Sequence, residues 1–200
     1  MPPPTTLGVL VSGRGSNLGA VLEAVAGGEL TGVEPRVVIS NRAGVPALGV
    51  AERHGVPVLV LERSTFESAA ARDRAIGQAL TDGGVRLALL AGYDQLLRPA
   101  YFSAFGGRTI NVHPSLLPAH GGKGMMGLAV HASVLAAGDR ETGVTIHEVT
   151  RDLDAGPPLL RVRVPVLPGD TPERLAERVL AVEHRSVVEI LARIAGQDSP

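Results

Sequence analysis

The sequence predicts an α/β fold, a single doubly wound and mainly parallel sheet flanked by helices, on three observations. Short apolar, β-branched runs alternate with longer segments of helical period. Glycine pairs such as Gly27-Gly28 and Gly83-Gly84 punctuate that alternation. The 200 residues, 44% of them hydrophobic, suit one sizeable core, so residues 1–200 are expected to form a single domain.

Taken in order, five short apolar runs place strands near 6–12, 36–40, 56–61, 85–91 and 108–113. Between them, three-to-four spacing of apolar residues with Gly or Pro at the boundaries places helices near 17–27, 44–54, 66–82 and 98–105. A Gly-rich loop follows at 118–127, then a short helix near 128–137. Two further strands, near 142–149 and 158–166, are expected to form a less regular part of the same sheet. A long helix beginning near Pro172 closes the chain, with Leu175, Val179, Val187, Ile190 and Ile194 on one buried face. The first four residues and the QDSP end, 197–200, are expected to fray.

Composition narrows the function classes. Nineteen basic against twenty acidic residues give a net charge of -1, which lacks the broad positive field of a nucleic-acid or membrane-surface binder. Small molecules are the expected partners. The absence of cysteine excludes disulfides, thiolate metal sites and a cysteine nucleophile. No run is long and apolar enough to span a bilayer, and MPPPTT lacks the basic start and apolar stretch of a signal peptide, so a cytoplasmic protein is expected.

Four features carry chemistry. SGRGSNL, Ser12 to Leu18, lies between the first strand and first helix, where backbone N–H groups and the positive helix end can meet a phosphate. It lacks a Walker GK[ST] ending, and Leu18 stands where a dinucleotide fingerprint needs its third glycine. A tight turn with Ser16 capping the helix is the purely structural alternative. INVHPSLLP, Ile110 to Pro118, ends the fifth strand, and its two-residue spacing projects Asn111 and His113 from one face. A donor amide beside an imidazole suits acyl transfer, one group holding an oxyanion and the other moving protons; a structural histidine is the alternative.

TRDLDAGP, Thr150 to Pro157, offers carboxylates that could face His113 and stabilise positive charge on its ring, or simply form a turn. No HExxH occurs, and His113, His120, His131 and His147 share no helical ligand spacing, so no metal site is expected. Finally, Glu183 lies four residues from both Val179 and Val187 and interrupts the apolar stripe of the last helix. A buried carboxylate must be paired, either by a ligand or by Arg178 or Arg185.

Taken together, SGRGSNL, NVHPSLLP, GGKGM, DLDAGP and a late VEHR resemble, in this order and from about Leu7 to Ala195, the glycinamide ribonucleotide formyltransferase family. The resemblance implies the formyltransferase fold with a Rossmann-like N-terminal half. It also implies transfer of a formyl group from 10-formyltetrahydrofolate, a co-substrate, to the amine of glycinamide ribonucleotide in purine synthesis, without a metal. By position, Asn111, His113 and Asp154 become the catalytic trio; Gly15, Ser16, Asn17, Leu18 and Glu183 hold the ribonucleotide. Asp94, Gln95, Leu96 and Leu97 with Thr150, Arg151, Asp152, Leu153, Asp154 and Asn111 line the folate cleft. Residues up to about 110 would bind the phosphate, and the C-terminal part would carry most of the catalytic and folate site. A monomer or homodimer is expected.

This chain departs from the pattern at two places. Where the family commonly reads AGFMRIL it has AGYDQLL, introducing Asp94 and Gln95, and an arginine available to the folate tail in some members aligns with Ala69. Arg72 or Arg74 could substitute. Methionyl-tRNA formyltransferase resembles GDRETGVTI but adds an RNA-binding barrel and usually reads HASLLP. Formyltetrahydrofolate hydrolase normally adds an N-terminal regulatory domain. A non-enzymatic phosphate-ligand binding domain would have no use for His113 paired with Asp154.

Overall fold

A computed structural model describes residues 3–197. Strands β1 (Thr5–Val11), β2 (Val33–Ser40), β3 (Val58–Val60), β4 (Leu87–Leu90), β5 (Arg108–His113), β6 (Glu141–Glu148) and β7 (Pro158–Pro165) form a seven-stranded sheet in the order β3-β2-β1-β4-β5-β6-β7. The first five strands pair in parallel, and β6 and β7 add in antiparallel fashion. Helices α1 (Ser16–Ala26), α2 (Pro46–Arg53), α3 (Ala69–Asp82), α4 (Pro99–Ala104), α5 (Leu128–Ala137) and α6 (Pro172–Gln197) cover both faces.

Alternation along β1 divides the core. Leu7, Val9 and Val11 face α1, α2, α5 and α6, while Leu10 faces α3 and α4. At Gly8 the α3 side chain Leu80 packs onto the strand itself: a Cβ there would collide with Leu80 and lie 3.3 Å from both methyl carbons of Val85. The expected face of α6 is buried, with Leu175, Val179 and Val187 fully inaccessible.

Some boundaries differ for local reasons. The α3 pattern starts at Ala69 instead of 66 because the Ser68 hydroxyl caps it, accepting from the Ala71 N–H at 3.0 Å. β3 shortens to three residues, with Pro57 before it able to accept from Val38 N–H but not to donate. Strands β6 and β7 are more regular than expected, pairing from Glu141↔Pro165 to His147↔Pro158 with one irregularity at Ile146/His147. Of the ends expected to fray, residues 1, 2 and 198–200 lie outside the described residues.

The strand order reverses between β1 and β4, so the loops leaving their carboxyl ends diverge and open a crevice. The site lies there.

Candidate active site

A cleft of about 1000 Å³ runs from the start of α1, past the ends of β4 and β5, to the loops at 122–127 and 149–154, with α6 along one wall. Its volume suits two joined small molecules.

At one end, α1 begins without a side-chain cap. Gly15 is the N-cap with φ 75, and Ser16 is already helical, so the serine-cap alternative does not hold. Gly15 is required twice over: its φ is left-handed, and a Cβ would stand 2.6 Å from that of Ala47. The Gly19 N–H returns to the Gly15 carbonyl at 2.8 Å, leaving the preceding N–H groups of Ser16, Asn17 and Leu18 as the open donors of the first turn. No acidic residue occupies that turn, and the exposed Arg14 lines the cleft beside it. Leu18 differs from its neighbours: its side chain is wholly in the core, so only its backbone can meet a ligand.

Glu183 projects from α6 into the same end and is 9% exposed. Neither arginine weighed from sequence pairs with it, since Arg178 binds Asp170 and Arg185 is exposed. Its partner is Asn17, whose Nδ2 donates to Oε2 at 2.6 Å. Burial pushes the Glu183 carboxyl up, while the Asn17 amide and the Arg14 charge draw it back. Asn17 Oδ1 is buried and has no hydrogen-bond partner.

At the centre, Asn111 and His113 project from the end of β5 into the cleft as the two-residue spacing predicts. His113 Nε2–H donates to the His120 carbonyl at 2.9 Å. Its Nδ1 stands 3.9 Å from Asp154 Oδ2, an oxygen that also accepts the Gly122 N–H at 2.8 Å. Asp154 has φ 53, a conformation uncommon outside glycine. The sequence motifs at 111–113 and 150–154 are therefore brought together.

His147, which sequence reasoning left out of the site, sits directly across the sheet from Asn111 in the β5–β6 register. Its Nδ1–H donates to the Glu148 carbonyl at 2.9 Å, and its Nε2 accepts from Asn111 Nδ2 at 3.2 Å. Burial lowers its pKa, favouring the neutral ring this pattern requires. The result is an oriented amide: one Asn111 N–H is committed to His147, and the other remains for a ligand. His131, on α5, also lines the cleft, and its buried Nδ1 has no partner.

Beyond the trio, Asp94, Gln95, Leu96 and Leu97 line the wall after β4, with Thr150, Asp152 and Leu153 opposite. Arg151 does not line it. Asp94 is an organiser of this wall: its carboxylate accepts from Asn41 at 2.7 Å and pairs with Arg42, and its N–H donates to Ser12 at 2.9 Å. Burial raises that carboxyl, but the Gln95, Asn41 and Ser12 hydrogen bonds outweigh it and leave the pKa lowered. Neither arginine considered for a ligand's tail reaches the cleft; Arg72 is fully buried against Asp73 at 2.6 Å, and Arg74 is exposed elsewhere. Arg42 and Lys123 are cations that do line it. Leu96, Met126, Leu128 and Leu153 are each about half exposed at its rim.

Residues 6–191 match the formyl transferase family. The chain belongs to that family. Among formyl transferases it is 39% identical over 189 residues to the chloroplastic phosphoribosylglycinamide formyltransferase of Arabidopsis thaliana, covering 94% of this chain and 64% of that protein. It is 38% identical over 176 residues to the phosphoribosylglycinamide formyltransferase of Escherichia coli, covering 88% of this chain and 80% of that one. The structure of glycinamide ribonucleotide transformylase 1 from Symbiobacterium toebii superposes with a TM-score of 0.91 at 40% identity, covering 97% and 89% of the two chains. The chain thus spans just under two thirds of the Arabidopsis relative. Among the described residues of this formyl transferase, no helix is long and apolar enough to cross a membrane, and no group of three or more His, Asp or Glu could hold a metal ion.

Proposed function

We propose that this formyl transferase moves the formyl group of 10-formyltetrahydrofolate to the amine of glycinamide ribonucleotide, giving the N-formyl product and tetrahydrofolate in purine synthesis. The observation that carries this reading is the convergence of Asn111, His113 and Asp154 in one cleft whose far end is an uncapped helix N-terminus beside Asn17 and Glu183. The names of the relatives support the same substrates.

In this reading the Ser16, Asn17 and Leu18 amides hold the phosphate, and Glu183 with Asn17 Oδ1 holds the polar glycinamide portion. The residues up to about 110 bind phosphate, and the rest of the one domain carries most of the catalytic and folate-binding groups. The apolar rim at Leu96 and Leu153 fits the flat, apolar body of a folate, with backbone polar groups of 94–97, Thr150 and 152–154 for its ring edge. Arg42 or Lys123, which line the cleft where Arg72 and Arg74 do not, meets its carboxylate tail.

Holding both molecules in one cleft makes attack effectively unimolecular. The neutral amine attacks the formyl carbon, forming the new C–N bond and a tetrahedral oxyanion. The free N–H of Asn111 stabilises that oxygen, and Asp154 stabilises positive charge developing on His113. The proton shed by the new nitrogen passes by His113 Nδ1 or a held water to N10 of the folate, whose bond to the formyl carbon then breaks. This scheme uses no metal. It belongs to a cytoplasmic enzyme, monomer or homodimer, whose partners are small molecules and not nucleic acid or membrane.

The test is to mix pure protein with both substrates and follow folate-product absorbance. Product formation that depends on ribonucleotide is expected. Folate hydrolysis without ribonucleotide dependence would replace this reading with a hydrolase.

A further inference from the structure

We propose that His120 is a positioning residue that selects which nitrogen of His113 handles the proton; the catalytic part of the claim rests on the acyl-transfer reading above. Two non-glycine residues among those described have positive φ, His120 at 54 and Asp154 at 53. They flank the two nitrogens of one ring. Asp154 faces Nδ1 of His113 at 3.9 Å, and the His120 carbonyl meets Nε2 at 2.9 Å.

A carbonyl can only accept, so Nε2 must carry hydrogen. In the neutral ring the lone pair then lies on Nδ1, and a proton taken up by the ring lands there, beside Asp154 and the cleft. The direction of one backbone carbonyl therefore decides the working atom.

That direction depends on residue 120 keeping a left-handed conformation, which a non-glycine residue retains only when its surroundings hold it. The His120 side chain supplies the hold. Its Nδ1 meets Ser133 Oγ at 2.8 Å and its Nε2 meets Asp139 Oδ2 at 2.7 Å, tying the loop to α5 and the turn after it. The hydroxyl of Ser133 can donate or accept, so the tie survives in either charge state of the His120 ring. Two residues on, Gly122 donates its N–H to Asp154. One anchored segment thus sets both partners of His113, and neither His120 nor Asp139 lines the cleft.

The experiment is ¹⁵N NMR of the His113 ring in ligand-free protein, with steady-state kinetics alongside, for His120→Ala, His120→Asn and Asp139→Asn. Wild type is expected to show the Nε2–H tautomer. His120→Ala should give a mixture of tautomers and a kcat about 10- to 100-fold lower, the scale expected when a reacting group is slightly misplaced, with KM for both substrates within about twofold. His120→Asn tolerates positive φ and can still reach Ser133, so it should recover most of the loss; Asp139→Asn, at the surface end of the tie, should lose less than His120→Ala. A lower melting temperature with unchanged tautomer, or altered tautomer with unchanged kcat, would overturn the proposal. The tautomer is read without substrate. If wild type shows Nε2–H and the variants lose it while no formyl transfer occurs, the positioning claim stands and the acyl-transfer reading falls.

Discussion

Replacing Glu183 with glutamine removes one charge from the binding end of the cleft while keeping an oxygen for Asn17. The amide Oε1 can still accept from Asn17 Nδ2, now 2.6 Å from the carboxylate, so the local packing survives. A hydrogen bond to a charged group contributes about 1.5–3 kcal/mol and a neutral one about 0.5–1.5, a difference of roughly 1–1.5 kcal/mol. The ribonucleotide KM should therefore rise about 5- to 15-fold, with folate affinity unchanged. Glu183→Leu loses the whole interaction, and KM should rise about 10- to 150-fold. Its stability follows from two opposed effects. Burying leucine at a site 9% exposed stabilises by about 1.5–3 kcal/mol. Leaving both amide atoms of Asn17 without partners costs about 1–3 kcal/mol, since Oδ1 already has none. The two nearly cancel, and at about 2–4 °C per kcal/mol the melting temperature should stay within a few degrees. Steady-state kinetics and differential scanning calorimetry read both. A drop of more than about 10 °C for Glu183→Leu, with ribonucleotide KM unchanged in both variants, would make Glu183 a structural residue and refute the reasoning.

Three other outcomes follow from the same geometry. His113→Ala and Asp154→Asn should each lower kcat by about 10²- to 10⁴-fold with the circular dichroism spectrum unchanged; a folded variant with near wild-type turnover would contradict the assigned roles. Inorganic phosphate should compete with the ribonucleotide, and the phosphate-free riboside should bind far more weakly, whereas equal affinities would reduce Gly15 to Leu18 to a turn. Burial lowers the pKa of His131 and His147 below the ordinary 6.5. The unfolded chain then binds protons more readily, so stability present above about pH 6.5 is lost as pH falls through and below it. Glu183, raised above 4.5, acts oppositely, its folded form gaining stability as pH falls. Melting temperature should fall between about pH 7.5 and 5.5; a flat or rising profile would exclude buried neutral histidines.

Much of this molecule is legible along the chain. Short apolar runs placed the strands and three-to-four spacing the helices, while alternation assigned the two faces of a strand, because each of these is a local pattern. The same logic put Asn111 and His113 on one face and marked Glu183 as foreign to its stripe. What pairs with what was decided by tertiary structure. Asn17 and Glu183 are 166 residues apart, and nothing near Glu183 names its partner. His147 reaches Asn111 only through the antiparallel β5–β6 register, and a slip of one residue would turn it to the other side of the sheet. Leu18 and Arg72 look available in sequence, yet one side chain fills the core and the other is sealed against Asp73. Periodicity reports which face an element buries, whereas a site depends on the register between elements and on loops whose direction a single dihedral, such as that of His120, can set.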